Sequence, residues 1–403
     1  MRAIGLVFSL AESRLGQTLR INTPRLVTAA FTNIHCLVKA GYNLRSLSIT
    51  NDSATWSSSD EIVEMLREHP RLEVLRLSFD AVPFLQQSRS HPAEADLRHL
   101  KLLCVACTTL DNGQRSGNIA ELLGALSIPS SCIFHHLDFS QRGDDMHWRT
   151  SFDIFAARVR EVNYDALTVS ASSGSLLGPP FVANVFSTDD HAWPSPRDHP
   201  DKWRSKCCTD DALADRNVVP GVHLAVSSIC NWKTEDLLSD FIPRLQCEEI
   251  THLTLRGLDD IRRIDHPDLR TALRPLAAVQ SLYMPTRFHP TSLWPDCFAP
   301  IEPGIKLPRP TASNAVPPLP ALRHVIVHQE NIYTGCPEQD IGLWWSDLCD
   351  WLKVRNERLE LLELRGDWKK MGPALRVLDE RQLSIAKGLV GELKDERILP
   401  SRM

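Results

Sequence analysis

The chain has 403 residues, 43% of them hydrophobic and 24% charged, proportions that exclude wholesale disorder. A formal net charge of -5 and a pI near 6.3 leave no electrostatic footprint for nucleic acid or an anionic membrane surface, and no apolar run approaches the roughly 18 residues of a membrane helix. The 11 cysteines are odd in number and irregularly spaced, as expected of reduced thiols in the cytoplasm or nucleus rather than of a secreted disulfide framework.

Residues 1–43 read as a lead-in. Met1-Arg2 followed by Ala3 to Leu10 imitates a secretory signal but is too short for one. From Leu44 a phrase recurs: an apolar residue, two free positions, an apolar residue, one free position, an apolar residue. Its nine copies begin at Leu44, Leu72, Leu97, Phe134, Val159, Ile250, Val279, Leu322 and Leu359, with a weaker one at Val219-Val222-Leu224. This is the strand signature of a leucine-rich repeat, in which the second and third apolar positions point inward from a short strand.

The intervening segments read as helices. Ser58 and Glu61 fit a capping box, Ile62, Met65 and Leu66 make a stripe, and Pro70 stops the helix. Asn118 to Leu126 and Thr234 to Leu245 carry apolar residues at helical spacing, and Trp344, Leu348, Trp351 and Leu352 stripe a later helix. The expected fold is α/β: one irregular leucine-rich-repeat solenoid over 44–372, with parallel strands on its concave side and helices on its convex side. Proline-rich residues 187–217 and 285–320 are expected to be loop insertions, and 373–403 a C-terminal helical cap or tail.

The run LRSLSI…SSDEIVEMLREHPRLEVLRLS…LRHLKLL, followed by LLGALSIPSSCIFHHLDF, resembles the leucine-rich-repeat region of fungal F-box proteins. The likeness spans about Leu44 to Leu364. It implies a substrate receptor of a cullin-RING ubiquitin ligase, whose repeats hold the protein substrate while a helical F-box docks on the ligase adaptor. Residues 1–43 lack the Leu-Pro-x-Glu-like opening of an F-box, so adaptor docking would need an F-box upstream. A stand-alone repeat scaffold is the alternative.

No enzymatic signature is present: GxSxG, GxGxxG, P-loop, HExxH and EF-hand spacings are all missing. The expectation is therefore no catalysis, no cofactor and no metal. Cys104-Val-Ala-Cys107 is a lone CxxC, better read as small hydrophobes at a strand end than as a redox or zinc motif. Histidine recurs at the third place of four phrases, His99, His136, His252 and His324, which should face outward from the concave surface. With Arg45, Arg76, Lys101, Tyr283 and Glu363, these four are the candidate contacts for a protein partner, basic in the first repeats and acidic in the last.

Overall fold

Strands that alternate apolar and polar residues must bury one face, and short helices returning from each strand end supply the cover. The computed structural model describes residues 19–23, 25–32, 36–39, 43–51, 59–79, 94–107, 116–138, 147–171, 181–189, 192–194, 221–226, 234–256, 272–286, 319–329, 338–355, 357–368 and 373–399. Most of 187–217 and 285–320, and the segment 1–18, lie outside them.

The strands are β1 (Leu19–Asn22), β2 (Thr28–Thr32), β3 (Cys36–Lys39), β4 (Ser46–Asn51), β5 (Val74–Phe79), β6 (Ala95–Asp96), β7 (Leu102–Cys107), β8 (Leu126–Ser127) and β9 (Ile133–Asp138). They continue with β10 (Ala166–Ala171), β11 (Phe181–Phe186), β12 (Val222–Val226), β13 (His252–Arg256), β14 (Ser281–Thr286), β15 (His324–Gln329), β16 (Leu361–Gly366) and β17 (Glu392–Asp395). The helices are α1 (Ser59–Arg67), α2 (Ser116–Gly124), α3 (His147–Val159), α4 (Thr234–Phe241), α5 (Glu338–Val354) and α6 (Pro373–Leu389). No described helix is long and apolar enough to cross a membrane.

The chain divides into two units: Met1–Tyr164 with Leu177–His191 and Ser195–Asn231, and Asp165–Leu176 with Ala192–Pro194 and Trp232–Met403. In the first, the sheet runs β11-β12-β9-β7-β5-β4-β2. Its pairs are parallel except β11 with β12, a departure from an all-parallel array. In the second, the order is β17-β16-β15-β14-β13-β10 and every pair is parallel.

The registers place the phrase residues in tiers. Leu47, Leu75, Leu103 and Phe134 follow one another across β4, β5, β7 and β9, while Leu253, Leu282, Val325 and Leu362 do so across β13 to β16. All eight are at most 1% exposed, and each contributes about 1.5–3 kcal/mol through burial. Helices cover these tiers: Ile62, Val63, Met65 and Leu66 of α1, and Phe152, Phe155 and Val159 of α3, are buried. Asp60 and Glu61 in the first turn of α1 and Arg67 in its last complement the helix dipole.

Three phrase copies lie in a different frame from the expected one. The inward pair of β7 is Leu103 and Val105, not Leu100 and Leu102. That of β9 is Phe134 and His136, not Leu137 and Phe139. The third copy at Val159 falls on the end of α3, and the strand that follows, β10, sets Leu167 beside Leu253. The weaker copy is in frame, since Val222 and Leu224 stand beside Phe134 and His136.

The region 373–403 holds the expected helix, α6, and also strand β17. Arg397 ties them together. Its guanidinium bonds Asp379 of α6 at 2.7 and 3.0 Å and Asp395 of β17 at 2.6 and 2.7 Å, and lies 4.2 Å from the Trp368 ring centroid. Trp345 of α5 donates its indole N–H to Asp379 at 2.9 Å.

Candidate protein-binding face

On each strand the side chains between the inward positions form the opposite face, and it is there that a partner could dock. In the second unit this face carries His252, Thr254 and Arg256 on β13, Ser281 and Tyr283 on β14, His324, Ile326 and His328 on β15, and Leu361, Glu363 and Arg365 on β16. Four expected contacts thus share this face: His252 and His324 are accessible, whereas Tyr283 and Glu363 are buried within it. Thr254, Tyr283, Ile326 and Glu363 form one row across the four strands.

The aromatic and imidazole rings of this face are fixed by hydrogen bonds. The Tyr283 hydroxyl lies 2.7 Å from His328 Nδ1, and the Arg256 guanidinium is 5.9 Å from the Tyr283 ring centroid, within cation–π range. Thr251 Oγ1 is 2.9 Å from His252 Nδ1. Burial lowers the His252 pKa, against the opposing pull of Asp165, while His324 adds to the lowering. His252 therefore stands as a neutral imidazole at pH 7. Trp193, from the segment expected to be an insertion, lies on the same face: its indole N–H donates to Thr254 Oγ1 at 3.1 Å. Its ring meets His252 at 4.8 Å and Tyr283 at 6.5 Å between centroids, edge-on to both. No periodicity in the sequence singles out Trp193, because the contact spans 61 residues.

The other five expected contacts belong to the first unit, and they separate. Arg76 is on the strand face but buried. His99 is exposed in the turn before β7, and Arg45 and Lys101 sit just before their strands. His136 is the clear correction. It does not face outward: it points to the helix side, only 1% exposed, with Nε2 3.1 Å from Ser151 Oγ of α3. Its neighbour His135 takes the outward position and faces His223 at 4.2 Å between ring centroids. His135, His223 and Asn184 form a buried row next to Arg76 and Cys104, and among the described residues the amide oxygen and nitrogen of Asn184 have no hydrogen-bond partner. Reading Phe134 as the second apolar position of its phrase would have found His135.

The expected charge gradient is largely internally paired. Glu73 takes both Lys101, at 2.6 Å, and Arg45, at 3.3 Å, and the Lys101 bond holds its carboxyl below the usual range. Arg98 pairs with Asp96. In the second unit Glu360 accepts from Arg323 at 3.1 Å and lies 3.3 Å from His324, and Glu363 accepts from Arg365. Ring surfaces and hydrogen bonds, more than net charge, distinguish the second unit's face.

Ser151 donates to Asp138 Oδ2 at 2.6 Å while contacting His136. The imidazole does not stand between serine and carboxylate, and all three residues are buried. These three residues form a polar tie between α3 and β9 and do not make a nucleophile–base relay. Cys104 and Cys107 are three residues apart on β7, hence on opposite faces and about 10 Å apart along the strand, beyond the roughly 7 Å that a disulfide spans. Burial pushes the Cys107 thiol well up. Among the described residues no group of three or more His, Cys, Asp or Glu is arranged to hold a metal ion.

The buried histidines have a measurable consequence. Burial holds His135 well below the ordinary imidazole range, with His223 adding to it, and lowers His136 against the opposing pull of Asp138. Both are neutral in the fold and take up a proton on unfolding below about pH 6.5. Their contribution to stability is present above that pH and is lost as the pH falls through it, by up to about 1.4 kcal/mol per pH unit for each. Urea melts between about pH 7.5 and 5 should show the decline, and His136→Gln should make it shallower, leaving the His135 contribution.

No protein-family model matches the chain, and no curated protein or solved structure matches it either.

Proposed function

We propose that this chain is a non-enzymatic recognition protein, each of its units a stack of irregular leucine-rich-repeat coils, and that it serves as an F-box-type substrate receptor of a cullin-RING ubiquitin ligase. The observation that carries the reading is the strand face of the second unit. There His252, Tyr283 and His324 stand on parallel strands whose other face is the core, and Trp193 packs its ring against His252 and the buried Tyr283; aromatic residues on a rigid scaffold are the usual anchors of protein recognition. The partner is a protein, held without cofactor, metal, nucleic acid or membrane, in the cytoplasm or nucleus.

A second reading, a repeat scaffold unconnected to ubiquitin, is favoured by one specific observation. The described part of the lead-in forms the strands β1, β2 and β3, whereas an F-box is helical. Affinity pull-down of the cullin adaptor separates the two. The chain extended upstream in its reading frame is expected to recover the adaptor in stable complex. Failure of both this chain and the extended version to do so would favour the scaffold.

A further inference from the structure

Thr254 is the second outward residue of β13 and is 2% exposed. A buried hydroxyl needs a partner, and it has one in the indole N–H of Trp193. The surroundings of that bond are built independently of Trp193. Tyr283 is anchored to His328, and His252 Nδ1 meets Thr251 Oγ1 at 2.9 Å and stands 3.6 Å from Asp165 Oδ2. A hydroxyl acceptor between two hydrogen-bonded rings is thus set for an indole, and such pre-organisation lowers the cost of binding. Trp193 itself comes from Ala192–Pro194, a three-residue part of the second unit. It is half-buried on the face, held by one hydrogen bond and ring-edge contacts, which suits an exchangeable occupant better than a core residue.

We propose that the Thr254 seat is an indole-recognition site for a Trp-Pro peptide segment, that Trp193 of the same chain fills it, and that a protein partner docks on this face by displacing Trp193 with its own aromatic side chain. This rests on the partner-binding reading of the same face and names both the chemistry recognised and the element that competes for it. A tethered occupant acts at millimolar effective concentration, so it sets a threshold that weak aromatic ligands do not cross.

The test uses the full chain and, as probe, a fluorescein-labelled peptide copying residues 187–199, with a control peptide carrying Ala in place of Trp. By anisotropy, Trp193→Ala protein is expected to bind the probe roughly tenfold more tightly than the unaltered chain, and Thr254→Val in that background should abolish the gain. In 5-fluorotryptophan-labelled protein, the Trp193 fluorine resonance, assigned by its loss in Trp193→Phe, should move to a solvent-exposed position as unlabelled probe saturates the site. Should Trp193→Ala not fold, Trp193→Phe keeps the bulk and loses only the N–H, and is expected to bind the probe with intermediate affinity. Equal binding by unaltered and altered chains, equal binding of the control peptide, or probe binding that leaves the Trp193 resonance in place would each overturn the proposal. Recovery of the adaptor is unaffected by these outcomes, so failure here and failure of the ubiquitin reading are separate results.

Discussion

Arg397→Met is expected to lower the stability of the second unit by about 3–5 kcal/mol. The Arg397 side chain is 1% exposed and that of Asp379 3%. Removing the guanidinium leaves the Asp379 carboxylate buried with, among the described residues, the Trp345 indole N–H as its remaining side-chain donor, and an uncompensated buried charge is the costly outcome, far more than the loss of a surface ion pair. The Asp395 side chain is 21% exposed, so Asp395→Asn should cost much less. The paired replacement Arg397→Met with Asp379→Leu should recover most of the loss, because it removes both charges from the interior. Urea melts followed by the fluorescence of the Trp344, Trp345 and Trp368 cluster, whose rings lie 4.8 and 6.2 Å apart, report on this region directly. A fall below about 1 kcal/mol for Arg397→Met would show that the network does not hold the C-terminal cap.

Phe152→Ala should cost the first unit about 3–5 kcal/mol. Phe152 is fully buried on α3, 5.2 Å from Phe181 of β11 and 4.9 Å from Trp148 between ring centroids. It therefore fills the space between the helix and the strand layer, and truncation removes the transfer free energy of the ring and leaves a cavity besides. Phe152→Leu keeps much of the volume and should cost distinctly less. The adjacent Ser151 tie to His136 and Asp138 keeps α3 in place in both variants, so the difference isolates packing. Unfolding read from Trp148 emission checks both values.

The strand residues were legible in the sequence where a phrase had a single possible frame. Leu44-Leu47-Ile49 and the four copies from Ile250 to Leu364 lie with their second and third apolar residues at most 2% exposed. The frame was ambiguous at Leu97 to Val105, where LRHLKL and LKLLCV satisfy the same spacing, and only pairing with β5 decides for Leu103 and Val105. At β9 the inward residues after Phe134 are His136 and Asp138, polar groups admitted to the core by Ser151 across 13 to 15 residues. A pattern of apolar spacing cannot see a partner of that kind. Strand β11 was missed because it pairs antiparallel with β12 and carries no phrase. β17 was missed because its sequence, Glu-Leu-Lys-Asp, has one apolar residue and is placed by Arg397.

The candidate site was half legible for the same reasons. His252, Tyr283, His324 and Glu363 were found by counting positions, since their strands were in the right frame. Trp193, Thr254, Arg256 and His328 needed the tertiary fold: the first comes from a distant segment, and the rest matter through what they touch. Arg45 and Lys101 looked like a basic surface, but Glu73 binds both.

The alternation that separates a core face from a recognition face underlies every functional reading of this chain, and zero-length cross-linking of engineered cysteines on neighbouring strands measures it. Ser281 and His324 are register partners on the outward face. Ser281→Cys with His324→Cys should form a disulfide on mild oxidation, found as one cross-linked peptide by mass spectrometry, while Ser281→Cys with Val325→Cys should not, because Val325 points to the core. Bridging in the second pair and none in the first would mean that β14 and β15 pair one residue out of step, and the proposed binding face would not exist.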